Sequence, residues 1–356
     1  MHNQTSASYQ YYIVLIVYNV LQPPILVVGV VGNVCCILVC MSQRMRRSAA
    51  SWHLSALALY DTCMLVLYLE HWIRHTLLHV GWVTMPAWYC SIDQILMNVF
   101  GTLSPWTVMA FTIERCMVIS DPMDGQRRCT VARAQRVMLS LVIWPVLFNI
   151  PYWFIMDDGC VLNIAIHNVL NALDLLFAAV LPIAIILTCN LLIVLKLRAR
   201  TDNVTNNGDG TLRCTRRTDT QSTTRMLLIV STAFACLNLP SYLLRCRVAY
   251  LLTIDPTEKF TSFERRIEPI AYLLYIFNFA SDFLWYNISS AHFRRIGRDL
   301  MMSACRIRQR NLDRPQTWTS TLAYSRRDEE SEKNESNKTM NELTCGTVAA
   351  TTSTKC

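Results

Sequence analysis

Residues 88–123 read WYCSIDQILMNVFGTLSPWTVMAFTIERCMVISDPM. From 88 to 119 the run is mostly apolar and longer than the roughly 20 residues a helix needs to cross a bilayer. Its polar groups are spaced along it: Cys90 near one end, Ser104 in the middle, and Glu114-Arg115-Cys116 near the other end. Arg115 follows Cys90 by 25 residues, and Pro122 follows Arg115 by seven. An acid beside an arginine at a membrane surface is usually interfacial snorkelling. The fixed distances from Cys90 and to Pro122 are what set this pair apart.

Outward from this run, the 356-residue chain carries apolar runs near 13–41, 50–73, 134–154, 164–197, 222–252 and 267–290, which makes seven. Hydrophobic residues make up 53% and charged residues 16%, against about 25% charged in soluble domains. The expected fold is an all-α membrane protein. A seven-transmembrane-helix bundle covers 13–290, after an extracellular tail at 1–12. A short amphipathic eighth helix and juxtamembrane segment follow at 291–310, and a disordered cytoplasmic tail at 311–356. The longest link, about 198–221, is rich in Asn, Thr, Gly and Arg and reads as a loop. No internal repeat suggests a duplicated transporter. The net charge of +8 sits between the apolar runs and in the tail, and no aromatic-basic module points to nucleic acid. Most of the 15 cysteines lie inside apolar runs, where they pack as small apolar residues. Cys90 and Cys160 fall in outer loops, where thiols oxidise. No basic stretch precedes the first run, so it reads as a retained helix and not a signal peptide.

Lys and Arg near the helix ends set the orientation. One side carries Arg44, Arg46, Arg47, Arg127, Arg128, Arg133, Arg136, the series Lys196 to Arg225, and Arg294 to Arg310. The other carries only Arg74, Arg245, Arg247, Lys259, Arg265 and Arg266. The basic side is cytosolic, so the N-terminus is outside. Asn3-Gln4-Thr5 is then an extracellular glycosylation sequon, while Asn203-Val204-Thr205 is cytosolic and unused. The stretch His292–Met302 is basic and amphipathic and suits the inner membrane surface. Cys305 at its end is a palmitoylation candidate, with a free thiol as the alternative.

Ionisable groups inside membrane helices are costly, so each asks for a reason. Asp61 lies mid-run, and Asp282 stands one helical turn from Asn278 on the same face. With Ser104 they can line a polar pocket with oxygens. Sodium prefers such ligands; a hydrogen-bonded or protonated cluster is the alternative. His71, His75 and His79 recur every four residues. That spacing can hold a metal on one helical face, but interfacial histidines without metal are far commoner, and no metal other than sodium is expected.

From about 13 to 305 the chain resembles the rhodopsin-like family of G-protein-coupled receptors. Gly32-Asn33 matches the helix 1 motif, Asp61 the helix 2 aspartate, and Cys90 the helix 3 cysteine. Glu114-Arg115-Cys116 matches the acid-Arg-Tyr motif, and Pro122-Met123 the pair in the second cytosolic loop. Trp144, Pro182, and Phe234 with Pro240 fit helices 4, 5 and 6. Asp282-Phe283-Leu284-Trp285-Tyr286 stands where the family has Asn-Pro-x-x-Tyr, and Phe293 fits the start of the eighth helix. One match in each helix, in order, is highly specific. The chain departs from the family at Asn238 (for tryptophan), Asp282-Phe283 (for Asn-Pro), Asn190 and Cys116 (each for tyrosine). The Asn-Leu-Pro form of helix 6 and the Phe after the helix 7 acid are similar to invertebrate FMRFamide-type neuropeptide receptors.

The resemblance implies a disulfide between Cys90 and Cys160, and a ligand pocket in the outer half of the bundle. Candidate lining residues are Glu70, Trp72, Gln94, Met97, Asn98, Asp174, Tyr242, Arg245, Glu268, Tyr272 and Tyr275. Acids among aromatics suit a cationic ligand, such as a peptide ending in arginine and an aromatic amide. The competing reading pairs Asp174 with Arg245, and Glu268 with Arg265 or Arg266. Met97 stands where amine receptors have aspartate, and no lysine occurs in 267–290 to hold retinal. Glu114, Arg115, Met123, Phe234, Asn238, Pro240 and Tyr286 would serve activation and G-protein coupling. Asp61, Ser104, Asn278 and Asp282 would form the transmission core, with sodium as allosteric modulator and no other cofactor. Expected partners are an extracellular peptide, a heterotrimeric G protein, arrestin and receptor kinases at the tail, and membrane lipids, but no nucleic acid. The rivals are a chemosensory receptor for a small molecule, a transporter, and an intramembrane enzyme using Asp61 and Asp282; the chain reads as a receptor and not an enzyme.

Overall fold

A computed structural model describes residues 12–121, 125, 127–207, 214–253 and 261–312, excepting the side chains of 162, 164, 200–207, 214–227, 252–253, 262, 292 and 304–312. Helix α1 runs Tyr12–Cys40, α2 Ala49–Leu77 and α3 Ala87–Ser120. Helix α4 is Val131–Asn149. Helix α5 starts as Ile164–Asp174, passes through π-helical Leu175–Val180 and continues as Leu181–Asn207. Helix α6 is Cys214–Thr253, α7 Ser262–Ser289 and α8 Ala291–Leu312. Between α4 and α5 two short antiparallel strands, β1 Met156–Asp157 and β2 Val161–Leu162, form a hairpin. The bundle's compact unit ends at Gly297, and α8 from Arg298 onward belongs to a second unit.

Each of α1 to α6 contains a stretch long and apolar enough to cross a membrane. Helix α7 has 28 residues, enough to cross. The charges Glu264, Arg265, Arg266, Glu268 and Asp282 interrupt its apolar character. It packs between α6 and α1 and closes the ring. The bundle is inside-out relative to a soluble protein. Val28, Leu38, Leu139, Leu191 and Leu243 face outward, whereas Asn33, Ser51, Asp61, Ser104, Asn238 and Asp282 are buried. Without water in the hydrocarbon, helices satisfy their own backbone groups, and polar side chains turn inward to find partners.

Close packing and a few polar contacts join the helices. Gly29 of α1 meets α7: a Cβ there would come within 2.6 Å of the Ala280 Cβ. One turn on, the Asn33 Nδ2 donates to the Phe279 carbonyl at 2.8 Å. Small residues let membrane helices approach in this way. Two indoles make similar ties. Trp72 Nε1 donates to the Tyr18 carbonyl at 2.9 Å, and Trp106 Nε1 donates to the Phe177 carbonyl at 2.9 Å. Tyr18 lies in the π-helical stretch Val17–Leu21 and Phe177 in Leu175–Val180. A π turn displaces carbonyls from the α-helical ladder, and each indole donates to a carbonyl in such a turn. Asn190 and Ser231 hydrogen-bond each other across α5 and α6 at 2.8 Å.

The sequence places a loop at 198–221. Helix instead runs to Asn207 and resumes at Cys214. Its Thr, Asn and Arg cost a helix less than about 0.7 kcal/mol each relative to alanine, so polarity alone does not end it. Helix α2 also outlasts its expected end at 73 by one π turn, Ile73–Leu77.

Candidate functional site

The site is built from the hairpin end of the bundle. Cys90, at the start of α3, is joined to Cys160 by a disulfide. Cys160 and Gly159 both take positive φ, 56° and 76°, in the turn between the strands. Asp158 accepts a hydrogen bond from the Ala87 backbone amide at 2.7 Å; a carboxylate at a helix N-terminus meets its unpaired amides and positive dipole end. Gly159 N donates to the Met85 carbonyl at 2.8 Å. These contacts and the disulfide pin the hairpin turn to the start of α3.

At this end lies a cavity of about 460 Å³, within the range of about 300–1,000 Å³ usual for ligand sites. Seven expected residues line it: Gln94, Met97, Asn98, Arg245, Glu268, Tyr272 and Tyr275. Trp72 lines an adjoining cavity of about 580 Å³, which shares Tyr18, His71, Trp82 and Tyr272 with the first. Glu70, Asp174 and Tyr242 line neither of these two cavities. Glu70 accepts hydrogen bonds from Arg74 Nε at 3.0 Å and Tyr89 Oη at 2.9 Å. Asp174 sits behind Arg245, whose Nη2 donates to its Oδ2 at 2.7 Å and to Asn171 Oδ1 at 2.8 Å. Tyr242 packs edge-on against Tyr275, ring centroids 6.2 Å apart.

The structure adds Tyr18, Tyr68, His71, Trp82 and Asp93 to the lining. Asp93 was legible, since it stands one helical turn before Met97. Trp82 sits in a 3₁₀ turn between α2 and α3, outside any helical periodicity. Tyr272 stacks on Tyr18 at 5.4 Å and meets Tyr68 edge-on at 5.8 Å. Of the acids at the cavity, Asp93 is held by His71 Nε2 at 2.8 Å. Glu268 is exposed and has no ion pair among the described residues. The expected pairing of Asp174 with Arg245 is present.

Toward the middle of the bundle, Ser104 and Asp282 lie beside Asp61. Tyr286 Oη donates to Asp282 Oδ2 at 3.3 Å. Asn278 is buried on the same face of α7 as Asp282, and Asp61 Oδ1 is buried without a hydrogen-bond partner. Two carboxylates this close need a shared proton or a cation between them. The polar core thus comes together from α2, α3 and α7. Above and beside it, Phe234 packs with Leu57, Val108, Met109 and Ile186. Asn238 Nδ2 donates back to the Phe234 carbonyl at 2.8 Å, just before Pro240 interrupts α6.

At the far end of the bundle, Glu114 faces His53, Nδ1 to Oε2 3.7 Å. Arg115 is half-buried beside them. Tyr286 is buried with Phe111, Val230 and Phe293. Sequence reasoning missed His53, which lies in an apolar run four residues from Leu57 and shows no pattern of its own. Met123, Asn3 and the 313–356 tail lie outside the described residues, as does the Cys305 side chain.

A family model described as "7 transmembrane receptor (rhodopsin family)" matches residues 32–282. Among curated proteins, the chain is 28% identical over 140 residues to the thyrotropin-releasing hormone receptor of Gallus gallus, covering 39% of this chain and 34% of that one. It is 27% identical over 165 residues to the Mus musculus receptor of the same name, 46% of this chain and 40% of that one. With the pyrokinin-1 receptor of Drosophila melanogaster it shares 26% over 193 residues, 51% and 42%. The matches thus span about a third to two-fifths of these relatives' length. The finer likeness to FMRFamide-type receptors is only loosely supported by these relatives. With most of the bundle matched by the family model, this chain belongs to the rhodopsin family of seven-transmembrane receptors.

Proposed function

We propose that this receptor binds the end of an extracellular peptide in the hairpin-end cavity and, so occupied, activates a heterotrimeric G protein at the opposite end. Glu268 carries this reading: an unpaired acid on a wall of tyrosines suits a cationic side chain through charge and cation–π contact. Arg245, held by Asp174, offers its remaining donors to a peptide carbonyl or amide oxygen. The named relatives are receptors for peptides, which favours the same class of ligand. At the other end, Arg115 is the residue assigned to the G protein, with Met123 as an apolar contact. The hairpin end is then outside the cell and the basic end inside. Between them, Asp61, Ser104, Asn278 and Asp282 would take a sodium ion, which would neutralise the paired acids in the resting state and leave on activation. A ligand acts by binding the active state more tightly than the resting one.

The test is a screen of amidated neuropeptides on cells expressing the receptor, reading calcium and cyclic AMP with and without Arg115→Ala. A dose-dependent response, lost in the variant at equal surface expression, supports the reading. Glu268→Gln should then raise the half-maximal concentration of an arginine-containing peptide about tenfold, a loss of about 1.4 kcal/mol. The same change should leave a citrulline analogue of that peptide unaffected. Silence of a well-expressed receptor to every peptide, with a response to a small volatile or lipid ligand, would overturn it.

A further inference from the structure

We propose that Glu70, His71 and Asp93 form a binding site for a zinc-class transition-metal ion at the mouth of the cavity, clamping α2 to α3. One ligand atom from each of the three lies within 4.8 Å of the others. His71 Nε2 stands 2.8 Å from Asp93 Oδ1 and 3.7 Å from Glu70 Oε2. Bonds of about 2.0–2.1 Å to a tetrahedral zinc set neighbouring ligand atoms about 3.3 Å apart, midway between these values. The cluster therefore needs only small side-chain shifts to close around an ion. The periodic histidines at 71, 75 and 79 do not supply the site. Helix α2 changes to a π turn over Ile73–Leu77, and His79 lies past it with φ 52°.

A second observation concerns the two oxygens of Glu70. Arg74 Nε and Tyr89 Oη both hold Glu70 Oε1. The other oxygen, Oε2, is shielded from solvent and has no hydrogen-bond partner. Its carboxylate is thus oriented through one oxygen while the other remains available, which is the arrangement by which outer contacts position a metal ligand. The imidazole is likewise set, edge-on to the Trp82 ring at 5.0 Å and to Tyr68 at 6.4 Å. Two carboxylates, offset by the Arg74 guanidinium, leave a net negative charge for a cation. One nitrogen among the donors favours zinc over magnesium or calcium, which take oxygen ligands. On metal binding the Nε2 proton of His71 leaves to solvent while Nδ1 takes one up, so the imidazole ligates as the neutral form, and the fourth position opens toward the cavity that His71 and Asp93 line.

The test uses the purified full-length receptor in lipid nanodiscs, with thermal unfolding followed during titration with zinc chloride or magnesium chloride. It needs no agonist and so stands apart from the peptide reading. Zinc should raise the unfolding temperature to a plateau, and magnesium should not. His71→Ala and the near-isosteric Asp93→Asn should each weaken the apparent zinc affinity about tenfold or more, while His75→Ala leaves it unchanged. Unfolding without metal shows that each variant is folded. Absence of a zinc-dependent rise in the unmutated protein, or a rise that survives both substitutions or depends on His75, overturns the proposal.

Discussion

Asp174 and Arg245 show how a single pair decides what the cavity can bind. Asp174 is buried and, among the described residues, its close cation is Arg245, 2.7 Å away. Removing one partner from a buried pair strands the other and costs about 3–5 kcal/mol. The Arg245 side chain is 35% exposed on the cavity side, so water offsets part of that loss. Arg245→Ala should therefore destabilise the receptor by about 2–3 kcal/mol. The double variant Arg245→Ala/Asp174→Ala should fall short of the sum of the single effects, because the second change removes the stranded charge. Thermal unfolding of the three variants measures the difference, and strict additivity would show that the two groups do not depend on each other. The sequence offered both fates for Asp174, ligand contact or partner of Arg245, and one-dimensional spacing could not choose between them. Only the packing of α5 on α6 does so.

Among the elements, the least predictable feature is where helices change register. Membrane runs were legible to within a few residues, because hydrocarbon thickness imposes a length on every spanning helix. The π turns Val17–Leu21 and Leu175–Val180 were not legible, since no residue type marks them. Their meaning comes from Trp72 and Trp106 on neighbouring helices. Trp106→Phe keeps most of the ring and removes the N–H. It should cost about 0.5–1.5 kcal/mol, measured as a lower unfolding temperature. Trp144→Phe is the comparison: its ring stacks on Phe148 and is 43% exposed, and it should cost less. The start of α7, expected near 267 from the apolar run, lies at Ser262 and has a local cause. Thr261 and Glu264 form a reciprocal capping box, with the threonine three residues before the acid. Thr261→Ala should cost about 1 kcal/mol. The backbone amide of Thr261, then its hydroxyl and Arg247, hold the Glu264 carboxyl below the usual range. A depressed carboxyl contributes stability that is present above its unfolded pKa, about 4.3, and is lost as pH falls through the lower folded value. Unfolding temperature should therefore drop more steeply with acid in the unmutated protein than in Glu264→Gln, measured from neutral pH to pH 3.

Among the described residues, one covalent link joins sequence-distant parts of the molecule, Cys90 and Cys160, 70 residues apart. In a chain that unfolds to a random coil, closing a loop of this length would restrict the unfolded state by about 4 kcal/mol. A membrane receptor does not unfold that far, because its helices stay inserted and already limit how far the two cysteines can part. The direct stabilisation should then be smaller, about 2 kcal/mol. The larger consequence is local. Asp158 and Gly159 hold the start of α3 through two hydrogen bonds, and Cys160 keeps a positive φ in a turn that the disulfide fixes. Cys160→Ser should loosen this turn before it loosens the bundle. Unfolding temperature should fall modestly, whereas hydrogen exchange at Met156–Leu162 should rise by about tenfold or more, since opening needs only local free energy. Cys90→Ser and the double variant should behave like Cys160→Ser, because each removes the same bond. If exchange rose equally in α3 and α6, the disulfide would instead be holding the bundle together, and the hairpin would be its passenger.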